Sequence, residues 1–457
     1  MTFEELYKTV IKNQFHNEPR PIRTDKSPDA ATAPNAATVS DTAAPTDATA
    51  APSDIPDYNP YHLDCLLHPE KYAPVIVAED CGINRDAGRT SAQAGAASDC
   101  GHACQESCIF DAIITGPDGK LIIDPDYCTG CGACIDACKA KKLTASRDIL
   151  PAMKAVREPG RLSYALIAPA FLGQFSEDVT PGRLRSAFKA LGFTGMVEVA
   201  LFADILTLKE ALEFDQNITH NGDFQLTSCC CPVWIAMLSK VYQELMPHVP
   251  GSVSPMIACG RVIKKLHPNA VTVFIGPCIA KKSEARQPDI ADAVDYVLTF
   301  QEVQDIFDAA GIQPETLPES DKDHSSRAGR IYAHTGGVSE AVRRTVEQLD
   351  PDREIAIKTR QADGVPACRA MIEELCSGEL TGNFFEGMGC VGGCVGGPKA
   401  ILDKDEGKKN VAAYGNAATY KTPLENPYVI ELLHRLGFDK IEDLLEDSDI
   451  FTRHFGA

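Results

Sequence analysis

Val271-Thr-Val-Phe-Ile-Gly276-Pro277-Cys278-Ile-Ala-Lys281-Lys282-Ser-Glu284 starts as a short apolar strand, breaks at Gly-Pro, and continues into a segment carrying one cysteine and two lysines. A brief apolar run closed by Gly and Pro reads as a strand covered on both faces. The cysteine just past its end lies where α/β proteins put chemistry, on the loop leaving a strand. Working outward, the apolar runs Leu166–Ile167 and Ile331–Ala333 read as further strands. Helical patterns at Pro181–Ala190, Ile205–Phe214, Val233–Leu245 and Ser339–Leu349 alternate with them. Strands alternating with helices predict α/β layers over residues 148–457.

With 457 residues, the chain is long enough for two or three domains. Its net charge of −20 argues against a nucleic-acid partner, which needs basic surface. No apolar run of the length a membrane span requires is present, and Met1–Gln14 lacks the apolar core of a secretory leader. A cytoplasmic location follows as the expectation. The 18 cysteines of such a chain are then expected to be mainly metal ligands rather than disulfide partners.

Residues 1–22 carry Phe3, Leu6, Tyr7, Val10 and Ile11 at helical spacing. A frayed terminal helix is preferred there over a docking element. Residues 23–57 are mostly Ala, Pro, Thr, Asp and Ser, too poor in apolar bulk to offset the entropy of ordering, and read as a linker. Residues 58–147 form a separate α+β module and contain half of the cysteines.

Within that module, Cys128-Thr-Gly-Cys131-Gly-Ala-Cys134-Ile-Asp-Ala-Cys138 has the spacing of a [4Fe-4S] cubane motif. The small residues between the ligands let the backbone wrap a cluster and turn N–H groups toward its sulfurs. Zinc is the alternative, although it prefers two separated ligand pairs. Upstream, Cys104-x3-Cys108 precedes Ile109-Phe-Asp-Ala-Ile113 and follows Cys81 and Cys100. The pair of groups resembles a two-cluster ferredoxin, in which the last cysteine of each motif ligates the other cluster. That resemblance implies one cluster on Cys108, Cys128, Cys131 and Cys134, and a second on Cys81, Cys100, Cys104 and Cys138. The chain departs from the ferredoxin pattern in the wide Cys81–Cys100 gap, in the extra residue between Cys100 and Cys104, and in lacking Pro after Cys108 and Cys138. Cys65 competes with Cys81 for the first position.

Three further segments belong together. They are Leu226-Thr-Ser-Cys229-Cys230-Cys231-Pro232-Val-Trp234, the Pro277-to-Glu284 segment, and Phe385-Glu386-Gly-Met388-Gly-Cys390-Val-Gly-Gly-Cys394. In this order they resemble the three signatures of the iron-only (FeFe) hydrogenases, and the triple cysteine resembles a non-prototypical subgroup. The resemblance covers residues from about 60 to 456 and implies a two-lobed α/β catalytic domain over residues 148–457. It implies an active-site cluster, the H-cluster, with a cubane on Cys231, Cys278, Cys390 and Cys394. Cys394 would bridge the cubane to a diiron unit carrying CO, cyanide and a dithiolate. Lys281 would donate to a cyanide, a task suited to a cation in a dry pocket. Met388 would pack beside the bridging carbonyl, and Ala168, Pro169, Ser254 and Pro277 would line the pocket. Cys230 would relay protons, since a thiol's pKa is tunable toward neutrality. Glu210 and Glu213, three apart on one helical face, would continue the relay.

Several positions differ from the prototypes of that family: Gly276 stands where Met is usual, Met256 where Gln is, Ala170 and Cys229 where Ser is, and Pro250 at a relay serine, with Ser252 nearby. The resemblance implies reversible interconversion of protons, electrons and H2. It also implies a ferredoxin or other electron-carrier partner and maturases that install the diiron unit. An acidic carrier would need a local basic patch, for which Lys139, Lys141 and Lys142 are the candidates. The alternatives are a hydrogen sensor of low turnover and a hydrogenase-like iron–sulfur assembly protein. Cys65, Cys259, Cys368 and Cys376 are assigned structural roles.

Overall fold

The computed structural model describes residues 1–17, 57–79, 102–117, 120–227, 230–320, 322–379 and 381–455. Two parallel sheets organise the larger part. The first contains β5 Ser163–Ile167, β6 Gly195–Glu198, β8 Val271–Gly276 and β9 Tyr296–Thr299, in the order β6-β5-β8-β9. The second contains β7 Gln225–Leu226, β10 Thr359–Asp363 and β11 Phe384–Met388, in the order β10-β11-β7. Every residue of β8 and of β11 is buried, as strands with both faces covered must be. Two apolar cores result, one around each sheet, which form the two lobes that the family resemblance implies.

Most expected elements are present, with shifted ends. Helices run Pro181–Leu191, Ala200–Asn217, Pro232–Lys240 and Gly337–Leu349. The run Ile331–Ala333 is not a strand but one turn of 3-10 helix between two helices. Three buried apolar residues satisfy either geometry, so the pattern alone could not decide.

The smaller module has two antiparallel ribbons, β1 Val75–Val77 with β4 Leu143–Ala145, and β2 Ile113–Thr115 with β3 Leu121–Ile123. Its own small core includes Cys104, Cys128 and Cys134. The helix Pro60–Leu67 instead joins the core of the first lobe, and takes Cys65 with it. It is 1% exposed in that core, and burial pushes its thiol up to about 11, so it packs away from the small module's cysteines.

The helix Phe3–Asn17 is docked, and the expectation of a frayed terminus is overturned. Phe3, Leu6, Tyr7 and Ile11 are buried in the first lobe's core. Tyr7 Oη donates to Asp305 Oδ2 at 2.7 Å on the helix Phe300–Ala310, and the Arg147 guanidinium lies 4.7 Å from the Tyr7 ring centre. The apolar stripe was visible in the sequence, but the surface that covers it lies about 300 positions away, so only the fold reveals it. Leu6→Ala should lower unfolding stability by about 2–4 kcal/mol in urea titration, the cost of a buried cavity. A loss near zero would restore the frayed reading. The linker expected at 23–57 falls outside the described residues except for its last position.

Candidate metal centre

The three motif segments leave parallel strands at their C-terminal ends: the first after β7, the second after β8, the third after β11. Strands of different lobes thus deliver their loops to one place. Pro232 opens the helix Pro232–Lys240, and Cys231 is its N-cap residue. Gly387 is required where β11 crosses this helix, because a Cβ there would meet the buried Trp234 ring at 2.0 Å. Trp234 Nε1 in turn donates to the Thr227 carbonyl at 3.3 Å, tying the first segment to its helix.

Cys231, Cys278, Cys390 and Cys394 come together here as free thiols. Burial pushes Cys278 up to about 11 and Cys394 up to about 12, and holds Cys390 higher still. Repulsion among the same sulfurs adds to this. Cys390 feels Cys278, Cys231 and Cys394, and Cys394 feels Cys278 and Cys231. By area, however, Cys278, Cys390 and Cys394 are only partly covered.

Backbone donors already point at these sulfurs. The Gly389 N–H donates to Cys231 Sγ at 3.2 Å, and the N–H groups of Ala280 and Lys281 lower the Cys278 thiol against its burial. Four buried thiols with amide donors fit an iron–sulfur cubane, because a metal ionises its thiol ligands and N–H groups tune its sulfurs. Among the described residues no three Cys, His, Asp or Glu side chains converge on one ion site. A cubane does not ask for that, since it spreads four thiolates over four irons.

Lys281 is 6% exposed, and its Nζ lies 2.6 Å from Glu284 Oε2. The contact is an ion pair without hydrogen-bond alignment, so neither atom has a hydrogen-bond partner. Burial pulls the lysine pKa down, but Glu284 overrides it and the net direction is up. The Cys278 and Cys230 thiols act on the same ammonium, which gathers Cys230, Cys278 and Lys281 around one spot. A buried cation with unspent donors fits an anionic ligand beside the cubane.

Met388 and Ala168 are buried, and Pro277 receives the Lys399 N–H on its carbonyl at 2.9 Å. Pro169 begins a 3-10 turn after β5. Ser254 has a local task, capping the helix Pro255–Leu266 by accepting the Ile257 N–H at 3.4 Å. A Cβ on Gly276 would meet the Phe274 ring at 2.8 Å and Ala168 Cβ at 3.1 Å. The space expected to hold a methionine is therefore occupied by Phe274, whose ring centre is 6.0 Å from Lys281 Nζ.

Glu210 and Glu213 are both buried on the helix Ala200–Asn217. Glu213 accepts a hydrogen bond from Ser252 Oγ at 3.5 Å. Ser252, two residues after Pro250, thus brings a hydroxyl against this carboxyl.

The expected input module is next to this centre. Cys108, Cys128, Cys131 and Cys134 line one small cavity with Gly130 and Gly132. Burial raises Cys134 beyond the ordinary thiol range, and Cys128, Cys131, Cys108 and Cys104 all repel it. Cys108 Sγ accepts the Ala112 N–H at 3.4 Å, and Cys138 Sγ accepts the Lys142 N–H at 3.3 Å. Cys81, Cys100 and Cys229 lie outside the described residues. Cys131 is close enough to act electrostatically on Cys390, and both Cys108 and Cys131 pack on the core containing Cys231. Of the three candidate docking lysines, Lys139 and Lys141 are exposed, whereas Lys142 is ion-paired with Glu79.

Two functional side chains escaped the sequence reading. Glu386 is fully buried in β11 and accepts the N–H groups of Gly336 at 2.8 Å and Ser339 at 2.7 Å, anchoring the start of the helix Gly337–Leu349. A carboxylate inside an apolar strand was the available signal. Lys209 forms a buried ion pair with Glu213 one helical turn away. The i, i+4 spacing was its available signal.

The family profile described as iron only hydrogenase large subunit, C-terminal domain, matches residues 161–398, and a 4Fe-4S binding domain profile matches residues 121–141. The NADP-reducing hydrogenase subunit HndD of Solidesulfovibrio fructosivorans is 26% identical, over 71% of this chain and 66% of its own length. Iron hydrogenase 1 of Clostridium pasteurianum is 29% identical, over 54% of this chain and 50% of its own length. The chain therefore spans about half to two thirds of these curated relatives. More distantly, the cytosolic Fe-S cluster assembly factor NAR1 of Yarrowia lipolytica is 26% identical over 32% of the chain. A solved variant of the [FeFe]-hydrogenase HydA1 from Chlamydomonas reinhardtii superposes with a TM-score of 0.56 at 21% identity, covering 67% of this chain and 98% of that one. That likeness supports the mixed α/β architecture.

Proposed function

Since this chain belongs to the iron-only hydrogenase family, we propose that it interconverts protons, electrons and H2 at an H-cluster whose cubane is held by Cys231, Cys278, Cys390 and Cys394. The observation that carries this reading is the convergence of those four thiols with Cys230 and the buried Lys281 ammonium. When bound, the diiron unit joined through Cys394 supplies an open iron beside a basic bridge, the pairing that heterolytic H2 chemistry requires.

The chain's own groups do the rest. Cys230 exchanges protons with the bridge, and Glu210, Ser252 and Glu213 carry them to and from water. Lys281 would hold an anionic ligand of the diiron unit by charge and hydrogen bond, and Met388 would pack against that unit. Ala168, Pro169, Ser254 and Pro277 shape the pocket that excludes water. Cys108, Cys128, Cys131 and Cys134 would hold one [4Fe-4S] cluster of the input module, and Cys81, Cys100, Cys104 and Cys138 the other; these clusters would supply electrons, with Cys131 near enough to act on Cys390. A ferredoxin or similar carrier supplies them, docking near Lys139 and Lys141. Maturases of the host install the diiron unit. Among the described residues no helix is long and apolar enough to cross a membrane.

The likeness to an iron–sulfur assembly factor is the observation behind a second reading, in which the clusters serve assembly without H2 turnover. Protein reconstituted with iron, sulfide and a synthetic diiron cofactor separates the two. H2 evolution from reduced methyl viologen, with CO and cyanide infrared bands, is the expected result. Absence of both bands and turnover would promote the assembly reading, and bands without appreciable turnover would indicate a sensor.

A further inference from the structure

We propose that Lys209 is a positioning residue for proton traffic: its buried ammonium holds the Glu213 carboxyl at the wall of a surface cavity and favours its charged form, so that it can take protons from water and hand them inward through Ser252. The role of Glu213 in H2 chemistry rests on the reading above; its pairing with Lys209 does not.

Three observations converge. The Lys209 ammonium and the Glu213 carboxylate are both buried and directly bonded, one helical turn apart on Ala200–Asn217. Ser252, with no exposed surface, donates to the other carboxylate oxygen at 3.5 Å. The same Glu213 lines a predominantly polar cavity of about 560 Å³ together with Gln216, Asp223, His248 and Gly251. A void of that size holds many waters. Glu213 therefore stands between an internal serine and a water-filled mouth, with a fixed cation on its inner side.

The ionisable groups around Glu213 are few. Lys209 and Glu210 share its helix, and Asp223 and His248 line the cavity across from it. His220 engages Asp223 at 3.6 Å, and His248 is held by stacking on Phe224 at 3.8 Å with its Nδ1 3.3 Å from the Phe224 carbonyl. Leu445, from the turn Ile441–Leu445, and Ser252 are uncharged. Burial raises the Glu213 pKa, and Lys209 is the largest opposing influence, ahead of Ser252. Burial outweighs the ammonium, so the Glu213 pKa lies above the ordinary carboxylate value; without the ammonium it would rise further, and Glu213 would release its proton less readily. A proton arriving from cavity water converts the carboxylate to the acid; its release toward Ser252 restores the carboxylate.

The test uses the full chain carrying its iron–sulfur clusters but no diiron unit. The infrared carboxyl band that disappears in Glu213→Gln is titrated with pH. Lys209→Met should raise its midpoint by at least about one pH unit, since an opposite charge at contact distance lowers a carboxyl pKa by about 1–3. Lys209→Gln, which can still hydrogen-bond, should do the same and serves if the methionine variant does not fold. Lys209→Arg should retain the wild-type midpoint. An unchanged midpoint in the uncharged variants, or an equal shift in Lys209→Arg, overturns the proposal. In diiron-loaded enzyme the pH profile of H2 evolution should move with the band; a shifted band with an unmoved profile overturns the proton-traffic role. Complete lack of diiron bands and turnover would instead count against the hydrogenase reading, while leaving the band midpoints to be compared.

Discussion

Cys394→Ala should abolish H2 evolution in cofactor-loaded protein while leaving the input-module clusters assembled. Cys394 is the expected single covalent link between this polypeptide and a diiron unit, so the alanine variant has no bond with which to retain it. Changes to groups that merely orient metal ligands already cost about 10–100-fold. Loss of the ligand itself should exceed that and reduce turnover to background. Three thiols of the centre, Cys231, Cys278 and Cys390, would remain, with Cys278 and Cys390 kept protonated by their surroundings until a metal takes them. The cubane is therefore expected to be weakened but not necessarily lost. The input-module clusters depend on other residues and should keep their electron paramagnetic resonance signal after dithionite reduction. Turnover above a tenth of wild type, with CO and cyanide bands retained, would show that Cys394 is not the bridge.

Lys282→Met should produce the largest loss of stability among the site-adjacent changes. Lys282 is fully buried and follows Lys281 in the sequence, yet its task is different. Its ammonium lies 3.1 Å from Asp148 Oδ1 and 3.1 Å from Glu302 Oε1, and donates to the Val297 carbonyl at 2.9 Å. Glu302 Oε1 also receives the Asp148 N–H at 2.9 Å, and Glu302 completes the capping box of the helix Phe300–Ala310. One cation thus joins the segment that leaves the input module to the edge of the first sheet. Removing it strands two buried carboxylates, and breaking a buried pair from one side costs about 3–5 kcal/mol. Arg286, 3.3 Å from Asp148 Oδ1, softens the loss on one side only. Urea unfolding of Lys282→Met should show the drop, and adding Glu302→Gln should recover part of it. A loss below about 1 kcal/mol would mean that the three charges are not coupled, given what one-sided removal from a buried pair ordinarily costs.

These two neighbouring lysines illustrate how the sequence reading divides. Residue spacing carried Lys281 because its motif constrains a local loop: the cysteine, the helix start and the lysine are set within a few positions. The same locality made the three cysteine segments and the Cys128–Cys138 run legible, since cluster ligation fixes ligand spacing along the chain. The α/β class was legible for a related reason. Apolar runs such as Val271–Ile275 must be buried on both faces wherever they sit, so their pattern is independent of their partners.

Other features depend on what lies opposite. Ile331–Ala333 is a buried turn because helices flank it, although its three side chains would suit a strand. The helix Phe3–Asn17 showed its stripe but not the lobe that covers it. Pro250 removed an expected serine, and only the folded chain brings Ser252 against Glu213.

By itself, then, the amino-acid sequence determined the class of the fold, the cluster-ligand segments and the family they resemble. All three rest on short-range spacing, which survives without knowledge of the tertiary contacts. The tertiary structure alone decided which lobe buries the terminal helix, that the Cys131 loop reaches Cys390, and that Lys209 and Lys282 are interior cations rather than surface charges. Those outcomes depend on the dielectric environment and on partners brought from distant positions, and neither quantity is written in the order of residues along the chain.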